Sequence, residues 1–205
     1  MRPLAAAAAL ALLVSGTPLA AEEPQVKPAI RGLVSMGAYR FVGAGGDPVN
    51  TLEPLRAKPG IFGGLVVIAS WAQLQPTPDA ELQEGNAIDR AMADVRAYNA
   101  EHPDRPLAVR LRVWGGFMAP EWAMRLGGPP IAALHKNKTR HLGRFWSPEY
   151  RQAWRRLQEK LAARYDSWPL IREVSMTSCM SLTAEPFFSP GEDAVQKPIR
   201  AAGFT

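Results

Sequence analysis

The chain reads as an α/β fold in which parallel strands alternate with helices, and three observations predict it. Gly63 to Trp71 is a near-continuous apolar run, Leu65-Val66-Val67-Ile68-Ala69, bounded by glycines, as in a parallel strand buried on both faces. Two later segments carry apolar residues at helical spacing: Ile88, Ala91, Met92, Val95 and Tyr98, then Tyr150, Trp154, Leu157 and Leu161. Between and after them lie two β-tolerant runs, Pro106 to Trp114 and Leu170 to Cys179. The resulting order, with one more strand near the start, is strand, strand, helix, strand, helix, strand.

Residues 1–21 have the form of an export signal. Arg2 supplies a small positive region, Leu4 to Val14 an apolar run too short to span a bilayer, and Thr17 to Ala21 a break with small residues for cleavage. The mature product is therefore expected to be soluble and secreted or periplasmic, with no membrane contact after signal removal. Residues 22–31 form a Pro-rich lead-in, and Gly32 to Val42 the first strand. Gly43 to Pro48 is a turn without the spacing or lysine of a phosphate cradle, and Asn50 to Leu55 one short helical turn. After the second strand, Asn86 caps the first long helix with Asp89 three residues on.

Pro106 to Trp114 alternates strictly at its centre. Val109, Leu111 and Val113 share one face; Ala108, Arg110, Arg112 and Trp114 share the other. Two arginines on a central strand require carboxylate partners or a polar interior, and Glu173 and Glu185 are the nearest candidates. A connection of about thirty residues then reaches Trp146, well beyond the usual length, which marks it as functional. Ser147-Pro148-Glu149 starts the second long helix. Residues 189–205 read as a polar tail or the start of a further unit.

Of the 205 residues 47% are hydrophobic and 21% charged, which excludes a disordered chain. Cys179 is the sole cysteine, so an intramolecular disulfide is excluded; it reads as a buried structural thiol. The net charge of +5 is spread along the chain, densest from Arg140 to Arg164, with no aromatic-basic pattern, so no nucleic-acid partner is expected. His102, His135 and His141 are placed in loops at spacings that suit no zinc site, and no dinucleotide fingerprint occurs; neither a metal nor another cofactor is expected.

The chemistry is expected after the last strand. Glu185, between Ala184 and Pro186 with Phe187 and Phe188 behind, lies past a strand's C-terminal end, where alternating β/α folds place active sites. An apolar wall there would raise its pKa and suit it to a general acid. Trp71, Trp114 and Trp122 sit at or just beyond strand ends, where they serve either as packing or as platforms for a sugar ring. Glu121, at a helix start after Pro120, reads as structural; Glu192 and Asp193 read as solvated.

Gly64 to Pro76, with its strand-end Trp71 and the Leu74-Gln75-Pro76 turn, resembles the second strand of (β/α)₈-barrel glycoside hydrolases of the large retaining clan that includes β-galactosidases and cellulases. Leu111-Arg112-Val113-Trp114-Gly115-Gly116 with Ala119-Pro120-Glu121-Trp122 is similar to that clan's third strand and following loop. The resemblance covers roughly residues 32–188. It implies an incomplete TIM-type barrel of about four βα units, a carbohydrate substrate, and Glu185-Pro186 at the position of the clan's general acid/base. Two departures stand out: Ala184 occupies the place of the clan's asparagine, and no residue corresponds to the nucleophile near the seventh strand. The chain is thus expected to be inactive unless a second chain or a missing C-terminal half completes the barrel. A non-catalytic carbohydrate-binding protein and a non-functional barrel fragment are the alternatives.

Overall fold

The computed structural model describes residues 26–40, 49–50, 52–135, 138–175, 177 and 193–205. Four parallel strands form the sheet: β1 (Leu33–Arg40), β3 (Phe62–Ser70), β4 (Ala108–Trp114) and β7 (Ile171–Val174), in the spatial order β1-β3-β4-β7. A short antiparallel strand, β2 (Val49–Asn50), pairs with the C-terminal end of β1. The α/β expectation therefore holds, with the strands and long helices at their predicted places.

The crossover segments carry α1 (Glu53–Arg56), α2 (Trp71–Leu74), α3 (Ala87–Glu101), α4 (Glu121–Met124) and α5 (Pro148–Tyr165). Asn86 caps α3 through a capping box with Asp89, and Ser147 caps α5 by accepting from Tyr150 N. Both caps satisfy backbone N–H groups that a helix start otherwise leaves without partners.

Because the parallel strands succeed one another in a single direction, crossovers of one hand place their helices on one side of the sheet. The core shows this directly. Leu65, Val67 and Ala69 of β3 and Val109, Leu111 and Val113 of β4 pack with Leu55 of α1, Ile88, Met92 and Val95 of α3, and Tyr150, Leu157 and Leu161 of α5. The opposite face holds a separate small cluster: Val66 and Ile68, with Val34, Trp114 and Met118 against them. β3 is accordingly buried from Leu65 to Ser70 on both faces, as its continuous apolar run predicts.

The lead-in crosses the N-terminal ends of the strands. Lys27 Nζ donates to the carbonyls of Trp168 (3.3 Å) and Ile171 (3.0 Å), and Ile30 N donates to Glu173 (2.9 Å). The crossing is so close to β3 that a Cβ on Gly63 would lie 1.7 Å from Arg31 O, and one on Gly64 2.8 Å from Ile30 Cγ2. The two glycines that bound the apolar run thus have a packing reason.

The connection after β4 differs from the single long loop expected. It holds a 3₁₀ turn (Gly116–Met118), α4, and a hairpin of β5 (Ile131–His135) and β6 (Lys138–Leu142). His135 and His141 therefore lie on strands of this hairpin rather than in loops. At the chain's end α6 (Asp193–Ala201) forms where a polar tail was one of two expectations; it buries Val195 and Ile199 in the main core. Asp193 is exposed, as expected, and pairs with Lys197 at 2.8 Å.

Candidate functional site

The face of the sheet opposite α1, α3 and α5 is where the polar side chains of β4 point. Register places Arg110 beside Val66 and Glu173, Arg112 beside Ile68, and Trp114 beside Ser70. Arg110 finds the partner its burial demands: its Nε and Nη2 lie 2.6 and 2.5 Å from Glu173 Oε2. Glu173 Oε1 accepts from Ile30 N at the same time. The Ile30 N–H, and then Arg110, hold the Glu173 carboxyl below the usual carboxylate range, against the opposing effect of burial. This cluster ties the lead-in to β4 and β7 at the end of the strands away from the expected site. Its role is structural.

Arg112 and Trp114 are different. Both are half-buried, and Arg112 Nε and Trp114 Nε1 are buried N–H donors without an acceptor among the described residues. Such donors are rare in folded proteins, because burying one unmade costs about 1–3 kcal/mol. They stand two residues apart on one face at the C-terminal half of β4, with Met118 packed nearby. Alongside, the chain beyond β7 keeps pairing with β4: Ser175 N donates to Leu111 O (2.8 Å) and the Thr177 hydroxyl to Val113 O (2.7 Å).

Trp71 and Trp122 sit elsewhere. Trp71 is fully buried in the core between sheet and helices, edge-on to Trp122, Tyr150 and Trp154 at centroid distances of 5.4, 5.4 and 5.2 Å. Its Nε1 donates to Gln75 Oε1 (3.1 Å). A ring so enclosed offers no face to a sugar; of the two roles considered for it, Trp71 fills the packing one. Trp122 is half-buried against the same cluster and donates to Gln75 O at 3.4 Å. The structure therefore brings Trp71 and Trp122 together and leaves Trp114 apart from them, packed in the other cluster. Glu185, Cys179 and Glu192 lie outside the described residues.

Glu121 opens α4 and pairs with Arg125 one turn on, as its structural reading expects. A cleft of about 510 Å³ opens between this helix and β6, lined by Phe117, Met124, Pro130 and Arg140 among others. Sequence reasoning missed this cleft together with the hairpin that walls it. The signal was present in the short apolar run Ile131-Ala132-Ala133-Leu134 ahead of the polar His135-Lys136-Asn137-Lys138. Among the described residues no group of His, Cys, Asp and Glu side chains could hold a metal ion, and no helix is long and apolar enough to cross a membrane.

Compared with known proteins, the chain matches no family model, no curated protein and no solved structure.

Proposed function

We propose that the chain supplies four consecutive units of a (β/α)₈ barrel acting on carbohydrate, with Glu185 as general acid/base and Trp114 as the aromatic that meets the sugar. The one-directional strand order supports a barrel over a doubly wound sheet, which needs a reversal and helices on both faces. In a barrel the helix-free face is the interior, and its strand C-terminal ends are where substrates bind. The observation that carries the reading is the pair of N–H donors, Arg112 Nε and Trp114 Nε1, left unmatched among the described residues at that end of β4. A hydroxyl-rich ligand that displaced what encloses them would supply acceptors to both while its ring lies on the indole.

Glycoside cleavage by this route needs a proton donor at the leaving oxygen and a second carboxylate roughly 5–5.5 Å from it for retention, or about 6.5–9.5 Å for inversion. Among the described residues the one carboxylate on this face of β4 and β7 is Glu173, and it is already held by Arg110 and Ile30 at the far end. That favours a second reading, a carbohydrate-binding protein without turnover.

Oligosaccharide titrations followed by the Trp114 indole N–H resonance separate the readings. Binding that moves this resonance and is lost in Trp114→Ala supports the sugar site. Hydrolysis of natural glycosides that falls in Glu185→Gln, with aryl glycosides of good leaving groups affected less, supports catalysis. Binding with no turnover leaves the binding protein. If no saccharide moves the indole resonance, the carbohydrate reading is wrong.

A further inference from the structure

The cleft between α4 and the β5–β6 hairpin is unlike the sheet face in both position and chemistry. On one wall Glu121, Met124 and Arg125 share a helix face, being spaced by three and four residues. On the other wall β6 presents Arg140. Phe117 and Pro130 complete an apolar lining with Met124.

Charge in this cleft is unbalanced. Among its described lining residues the one carboxylate, Glu121, is occupied by Arg125. Arg140 has no ion pair or hydrogen bond among the described residues, and its neighbour across the hairpin is Ala133. The side chain is half-buried, and its Nε is cut off from solvent with no acceptor. Solvent can therefore hydrate the tip of this guanidinium but not the Nε–H. An oxyanion in the cleft would accept from the two terminal nitrogens of this guanidinium together, the two-pronged geometry to which arginine is suited.

We propose that this cleft is a binding site for a small organic oxyanion, its charged end taken by the terminal nitrogens of Arg140 with Arg125 nearby, and its carbon body lying against Phe117, Met124 and Pro130. A carboxylate and a phosphate share the required chemistry. The site is separate from Trp114, so it stands whether or not the sheet face takes a sugar.

The test is titration of the 205-residue protein with glucuronate, inorganic phosphate and glucose, following the Arg140 Nε–H resonance and the heat of binding. At least one anion should shift that resonance, and glucose should bind at least about tenfold more weakly than it, since charge-assisted hydrogen bonds are the strong ones. Tighter glucuronate identifies a carboxylate ligand; tighter phosphate identifies a phosphorylated one. Arg140→Gln should weaken the anion at least about tenfold, and Arg140→Lys should recover only part of it, because lysine keeps the charge without the fork. Both variants replace an arginine with no partner among the described residues, so folding should survive, and the hairpin amide resonances will verify it. Trp114→Ala should leave anion binding intact while abolishing any sugar response at the sheet face. The proposal is overturned if neither anion moves the Arg140 Nε–H, if glucose binds as tightly as the anions, or if Trp114→Ala removes anion binding and Arg140→Gln does not.

Discussion

Glu173 is the most exacting place to test the description of the fold, because three donors from two distant segments converge on it. Arg110 gives two charge-assisted contacts, at 2.6 and 2.5 Å, and Ile30 N gives one at 2.9 Å. Bonds to a charged group contribute about 1.5–3 kcal/mol when shielded, but solvent reaches 38% of the arginine side chain and 24% of the glutamate. A discounted loss of about 2 kcal/mol is therefore expected for Glu173→Ala, which removes the acceptors for Ile30 and Arg110 together. Glu173→Gln keeps an acceptor for Ile30 N and removes only the charge, so about 1 kcal/mol is expected. For a chain of this size those losses lower Tm by about 4–8 °C and 2–4 °C.

The pH dependence gives a second, independent readout. The folded-state pKa of Glu173 is depressed relative to the unfolded chain, where a glutamate titrates near about 4.3. Its contribution is thus fully present above that value and is lost as pH falls through the folded pKa. The stability gap between wild type and Glu173→Gln should be open at pH 7 and should close on acidification below about pH 4. Urea melts at a series of pH values measure both quantities. If the gap is absent at neutral pH, or stays constant into acid, the Arg110–Glu173–Ile30 cluster does not hold the lead-in to the sheet.

Two further outcomes test the packing. Gly63→Ala puts a methyl 1.7 Å from Arg31 O, a backbone atom that cannot swing aside, so the lead-in must lift off β3; a loss of about 2 kcal/mol or more in chemical denaturation is expected, with hydrogen exchange at Ile30 N accelerated. Asn86→Ala removes the cap that accepts from Ile88 N (2.8 Å) and also the amide that donates to the Tyr165 hydroxyl (2.7 Å), so a loss of about 2 kcal/mol should appear in the same assay, and an unchanged midpoint would count against the capping box.

The strands and long helices were legible because each has its own local signal. The apolar run of β3, the strict alternation of β4, and the caps at Asn86 and Ser147 depend on residues close in sequence, and the structure has them all. The α4–hairpin excursion was less legible. Its strands are five residues each, and among the residues whose burial is described only Ile131, Ala133 and Leu142 are buried, so their alternation is faint beside that of β4. α6 was obscured by Pro198 within it and by the charges of Asp193 and Lys197, yet Val195 and Ile199, four residues apart, form the stripe that docks it. The tryptophans show a different limit. Position at a strand end does not say which way the chain turns next, and the turn into α2 carries Trp71 into the helix-side core while Trp114 stays on the other face.

The two arginines on the polar face of β4 show why identical residues in one alternating pattern need separate explanations. Sequence places Arg110 and Arg112 on the same face and asks a carboxylate of each. Arg110 obtains one from β7, since parallel pairing sets Glu173 directly beside it and the lead-in then closes over both. The β7 strand ends at Val174, and what continues beside Arg112 and Trp114 is Ser175 and Thr177, whose groups are engaged with β4 carbonyls. The polarity of this face therefore divides along the strand direction: a satisfied ion pair under the lead-in, then unmatched donors toward the C-terminal end. A face whose polar groups served stability alone would have matched donors at both levels. The split separates the ion pair that anchors the lead-in from two enclosed donors with no acceptor among the described residues at the C-terminal end, the end where the proposed site would lie.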